Sequence, residues 1–196
     1  MGEIKSAIEI AMEKAKGLGE ATDEERLKWK YVPEGERLAA RYLKQDCNLV
    51  VELGQYDEEI RKYVIQGVAD ILIRNINLPK GDLAKRTNRR AMEGLKIVKN
   101  DKARVENVFT KLRRIFEHYV GQGEQQRRQA YESLKIEFEA RIKQAIQQQL
   151  GSFAGIRIDV ERQPEFQEEW RRMLTQLDSQ YVKLLDEYKQ ELSVIS

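Results

Sequence analysis

Residues 164–192 read PEFQEEWRRMLTQLDSQYVKLLDEYKQEL, and the spacing of their apolar side chains decides the fold. Taken one per turn and continued to the end of the stripe, Phe166, Trp170, Met173, Leu177, Tyr181, Leu184, Tyr188, Leu192 and Ile195 recur at steps of 4, 3, 4, 4, 3, 4, 4 and 3. That mean lies near one α-helical turn, and strict alternation is absent, so the segment is a long helix with one apolar stripe. A period near 3.6 rather than 3.5 predicts a nearly straight pairing with its neighbour instead of a left-handed supercoil. Pro164 sits where a first helical residue is favoured.

The partner is sought upstream. From Asp101 the residues Val105, Val108, Phe109, Leu112, Ile115, Phe116, Tyr119 and Val120 form a second stripe. The pattern crosses Gly121 and Gly123 and resumes in phase at Tyr131, Leu134, Phe138, Ile142, Ala145, Ile146 and Leu150. Two glycines cost roughly 1 kcal/mol each within a helix, and no proline forces a break. The reading is one long helix from about 101 to 150, with Gly121 as the place where it would bend. Its half 124–150 and the helix 164–192 are nearly equal in length, which predicts an antiparallel coiled-coil-like hairpin. The link between them carries Ile156, Ile158 and Val160 in alternation, the pattern of an extended segment laid against the helices.

The N-terminal half reads as shorter helices, giving an all-α fold with domains at 1–100 and 101–196. A first amphipathic helix is expected over about 2–16, ending at Gly17 and Gly19. Thr22 with Glu25 forms a capping-box signature for a short helix through Trp29, and Pro33 is expected to start another. A segment over 48–53 stops near Gly54. Asp57 then opens the most apolar helix, with Ile60, Val64, Val68, Ile71, Leu72 and Ile76 on one face, ending before Pro79. Over 80–100, Thr87, Asn88 and Gly94 weaken the pattern, and one or two short helices are expected after Asp82.

Composition excludes several classes. Charged residues are 35% and apolar residues 41%, too apolar for a disordered chain and suited to long helices. The most apolar stretch, 63–78, is interrupted by Gln66, Asp70, Arg74, Asn75 and Asn77, too short and polar to span a bilayer. Met1, Gly2 and Ser6 match a myristoylation template, but the same residues open an amphipathic helix. With no basic segment followed by an apolar run at the start, a cytoplasmic protein is expected. Cys47 is the sole cysteine and His118 the sole histidine, which leaves no cysteine-based or histidine-rich metal site. Phosphate-loop, dinucleotide, zinc-protease and nucleophile-elbow motifs are absent. No enzyme, cofactor or metal is expected.

Charge is uneven. Residues 80–116 hold twelve Lys or Arg against four Asp or Glu, a net of +8, whereas the segments before and after are each −3. Lys85, Arg86, Arg89 and Arg90 are the candidate contacts to an anion or nucleic acid. The competing reading is a face neutralised by the acidic arms, and the segment lacks the interleaved aromatics of single-strand binders. On the last helix, Phe166, Trp170, Leu177, Tyr181, Leu184 and Tyr188 form a candidate interaction face, although aromatics at helical spacing are also what internal packing requires.

Two stretches carry a family resemblance. Gly2-Glu3-Ile4-Lys5-Ser6-Ala7, with Glu9-Ile10-Ala11 and Glu13-Lys14, and Pro164-Glu165-Phe166, with Glu168-Glu169-Trp170, Tyr181 and Tyr188, are similar to an uncharacterised bacterial protein family of unknown function. The resemblance implies a bacterial cytoplasmic origin and brings no activity or site residues. The expectation is a helical interaction or scaffold protein acting through its long C-terminal helices on a protein partner or a second copy. The alternative is a nucleic-acid-associated protein using 80–116.

Overall fold

The computed structural model of the chain describes residues 22–44, 47–150 and 159–196. The expected first helix, the myristoylation pattern and the alternating residues Ile156 and Ile158 lie outside the described residues. Those described are all-helical: α1 (Asp23–Leu43), α2 (Leu49–Leu53), α3 (Glu58–Arg74), α4 (Asp82–Val98), α5 (Lys102–Val120), α6 (Gln122–Leu150), a 3-10 turn (Val160–Arg162) and α7 (Pro164–Ser193). The chain divides into two units, residues 1–72 and 73–196.

In the first unit the Thr22–Glu25 capping box forms in both directions, and Asp23, Glu24 and Glu25 place negative charge at the N-terminal end of the helix dipole. The expected break at Pro33 does not occur: α1 runs 21 residues with Pro33 inside it. One lost backbone hydrogen bond is local, whereas continuing the helix buries Leu38, Ala39 and Tyr42. Asn48 caps α2 by accepting from the amides of Val50 and Val51. Cys47 is half-buried. Where α1 crosses α3, Gly35 and Gly67 let the two backbones touch. A Cβ on either would collide with the carbonyl of Val64 or Val32 respectively.

In the second unit, the one or two short helices expected over 80–100 are a single helix of 17 residues, capped at Gly81 rather than Asp82. Asn88, which seemed to weaken the helix, is buried and anchors the chain before it. Its amide donates to the Asn77 carbonyl at 2.6 Å, and its side-chain oxygen accepts from the Asn77 N–H at 2.8 Å. A buried amide with both ends bonded adds specificity rather than strain.

Asp101 caps α5 through the Arg104 amide. The long helix over 101–150 is present and bends at Gly121, the one residue between α5 and α6 outside helical geometry. Backbone bonds from Gly121 to Glu117 and from Gln125 to Gly121 carry the ladder across the bend. The hairpin differs from the sequence reading in one respect: α7 packs on both α5 and α6, not on α6 alone. Lys111 meets Glu191, Tyr119 meets Asp178, and Tyr131 meets Trp170, an antiparallel register that runs unbroken past the bend. The apolar stripe of α7 is long enough to cover both helices, so stopping at Gly121 would leave half of it in water. Val160 in the 3-10 turn seals one end against Leu134 and Phe166.

Candidate functional site

The side of α4 facing the core carries Ala91, Leu95 and Val98, all buried. Its charged side meets α5 across an open groove of about 410 Å³. Pro79, Met92, Phe109, Phe116 and Val120 make an apolar floor. Lys85, Arg89 and Lys96 from α4 and Arg113 from α5 stand along the walls, with Glu93 and Glu117 between them. Val120 is 45% exposed at one end. Volume and lining fall within the range of real binding sites, which are mostly apolar with a few charged groups.

The wall cations are held but not locked. Arg89 pairs with Glu93 at 3.1 Å and Lys85 with Asp82 at 3.4 Å. Lys96, at 2.6 Å, and Arg113 both grip Glu106. The hydrogen bond from Lys96, then that from Arg113, holds the Glu106 carboxyl below the usual carboxylate range. All these side chains are well exposed, so each pair contributes little stability and exchanges partners at small cost.

The four basic candidates separate. Lys85 and Arg89 stand on the groove, whereas neither Arg86 nor Arg90, one position on, lines it. Elsewhere in the basic segment four lysines are engaged within the fold. Lys80 pairs with Asp178 and Lys111 with Glu191. Lys99 donates to the Ile195 carbonyl, and Lys102 donates to the carbonyls closing α4. Counting Lys85, Arg89, Lys96 and Arg113, at least eight of the twelve are bonded to carboxylates or carbonyls.

The candidate face on α7 is largely turned inward. Phe166 is buried edge-on to Tyr131 and Phe138, and Trp170 meets Tyr131. Tyr181 packs edge-on against Tyr119 and shares a 2.7 Å hydrogen bond with His118 Nδ1. Tyr188 lies under Lys111, Leu177 is half-buried, and Leu184 stays exposed.

Sequence reading missed a buried ionic cluster at the bend. Asp178 accepts from Tyr119 at 3.2 Å and pairs with Lys80 at 2.7 Å and Arg127 at 3.5 Å. Arg127 also donates to the Tyr119 carbonyl, and its guanidinium stacks 3.9 Å over the Tyr119 ring. Asp178 Oδ1 has no hydrogen bond despite its long ion pair. The signal was an acid placed on the apolar stripe, four residues after Leu174 and three before Tyr181.

Burial, and next the Asp178 charge, pushes the Tyr119 hydroxyl up to about 12. A raised pKa means the folded state keeps the proton longer than the unfolded chain. The associated stability is therefore complete below pH about 10 and lost as pH rises towards 12. In a tyrosinate absorbance titration, the difference between wild type and Tyr119→Phe should be an ionisation near 12; a difference near 10 contradicts this environment.

These residues define an all-helical protein with a charged, apolar-floored groove, and among the described residues no helix is long and apolar enough to cross a membrane. A family model, Family of unknown function (DUF6657), matches residues 50–194, and the chain belongs to that family. No curated protein matches the chain. Nor does any solved structure.

Proposed function

We propose that the protein is a non-catalytic helical interaction or scaffold protein of the cytoplasm, and that its second unit receives a protein partner in the α4–α5 groove. The observation that carries this is the apolar floor between two charged walls, where half-buried Phe116 and exposed Val120 face solvent above the buried Met92 and Phe109. Contiguous apolar surface rimmed by charge is the pattern of an interaction site. The groove supports this reading better than the aromatic face of α7, whose Phe166, Trp170 and Tyr181 are packed within the chain. The nucleic-acid alternative has less support, because Lys80, Lys99, Lys102 and Lys111 are engaged within the fold and the segment lacks the interleaved aromatics of single-strand binders. A catalytic role lacks a supporting arrangement too: the sole histidine, His118, is exposed and shares its bond with Tyr181.

Low-salt affinity purification of the tagged protein from its native cells, beside a Val120→Glu variant, tests the reading. A stoichiometric protein partner should be recovered with wild type and fall at least about tenfold with Val120→Glu, since a charge then occupies the apolar floor. Recovery of nuclease-sensitive nucleic acid, indifferent to Val120→Glu and lost in Arg86→Glu/Arg90→Glu, would overturn it.

A further inference from the structure

We infer that the occupant of the α4–α5 groove is an acidic amphipathic helix of about three turns, carried by the partner; this rests on the binding reading above. Length is the first argument. The wall residues run from Lys85 to Lys96 on α4 and from Phe109 to Val120 on α5. Each wall therefore extends about 16 Å at about 1.5 Å per residue. The helices are antiparallel: Lys96 lies over the Phe109 ring at one end, and Pro79, Lys85 and Val120 meet at the other. The result is a trough with two walls of equal length. A third helix laid into it buries an i, i+4, i+7 set of side chains against Phe116 and Val120, four residues apart on α5, and against the stem of Lys96 that covers the buried Phe109. Met92 in the floor adapts to the shape of what lies on it.

Charge is the second argument. Lys85 stands at one end, Lys96 at the other, and Arg89 and Arg113 lie between them on opposite walls. An anionic amphiphile with a single head group would need its cations gathered at one end. Cations distributed along both walls match a ligand with carboxylates along both flanks, such as a helix with Glu or Asp beside its apolar stripe. Among the lining residues four cations stand against Glu93 and Glu117, a net of +2, while the carboxylates that hold Lys85, Lys96 and Arg113, Asp82 and Glu106, lie outside the lining. A basic helix is therefore disfavoured, and the weak pairs already holding Lys85, Arg89, Lys96 and Arg113 exchange for new ones at small cost.

The test titrates the full-length protein calorimetrically with four probes. They are a helical peptide of about 14 residues with leucines at i, i+4, i+7 and i+11 and glutamates flanking them, its lysine-flanked counterpart, dodecanoate, and a single-stranded oligonucleotide. The glutamate peptide should bind saturably and at least about tenfold more tightly than the lysine peptide, with affinity falling severalfold at high salt. Val120→Glu, and separately Arg89→Glu/Arg113→Glu at exposed positions, should each weaken it by about tenfold. Equal or tighter binding of the lysine peptide overturns the inference. So does saturable binding of dodecanoate or the oligonucleotide without binding of the glutamate peptide. If the peptide fails while Val120→Glu still abolishes partner recovery, the inference falls and the binding reading stands. Recovery indifferent to Val120→Glu removes the reading itself.

Discussion

Asp178→Ala is expected to destabilise the second unit by about 3 to 5 kcal/mol. The Asp178 side chain is 8% exposed and that of Arg127 is 11% exposed, so both charges have left water. Removing the carboxylate leaves Arg127 with only Glu124 as a charged partner and strips the Tyr119 hydroxyl of its acceptor. A desolvated cation and an unpaired donor are both costly, and nothing repacks to replace them. Lys80→Met should cost far less, because Lys80 is 63% exposed and water replaces its partner. In a Trp29→Phe background Trp170 is the remaining tryptophan and, beside Tyr131, reports the second unit in denaturant unfolding. A loss below about 1 kcal/mol for Asp178→Ala would show that the cluster is not a structural anchor at the bend.

Gly67→Ala is expected to destabilise the first unit by about 2 to 4 kcal/mol, against the direction of helix propensity. Within a helix, Gly to Ala is ordinarily worth about 1 kcal/mol in favour of Ala. Here the new Cβ would strike the Val32 carbonyl and lie 3.0 Å from the Glu36 nitrogen, both backbone atoms of α1. Backbone cannot swing aside as a side chain can, so the helices must separate and the packing around Val64 and Val68 opens. Gly54→Ala, where the nearest atom is 3.3 Å away, is the control and should change little. Hydrogen exchange of amides over 58–72 measures the effect locally. Faster exchange at Gly67→Ala alone supports the close crossing, whereas slower exchange would mean that propensity decides and the backbones are not in contact.

The parts of the fold legible in sequence were those with local causes. The Thr22–Glu25 box, Pro164 at a helix start and the stripe over 166–195 each act within a turn or two. Pro33 and Asn88 misled because their outcomes are tertiary. A proline inside a helix is tolerated when the turns after it are buried, and a helix-weakening asparagine is favoured when it bridges Asn77. The register of α7 across both α5 and α6 is likewise a property of the pair.

The candidate site was only partly legible, for the same reason. Periodicity placed Phe109, Phe116 and Val120 on an apolar face, but it cannot separate the covered Phe109 from the open Val120. Net charge marked 80–116 as basic, yet it cannot count the Asp178 and Glu191 carboxylates or the Ile195 carbonyl that folding brings to Lys80, Lys111 and Lys99. Asp178 was visible as an acid on an apolar stripe; only the bend at Gly121 supplies Arg127 and Tyr119 to receive it.

The central claim, that a protein partner docks between α4 and α5, is tested most directly by a photo-reactive phenylalanine analogue placed singly at positions 120, 136 and 194 in living cells. Val120 lines the groove, while Ile136 on α6 and Val194 at the end of α7 are exposed apolar positions outside it. The account predicts a discrete cross-link to one partner protein from position 120 and none from 136 or 194. Cross-links from 136 or 194 with position 120 silent would contradict it and move the interaction to the long C-terminal helices.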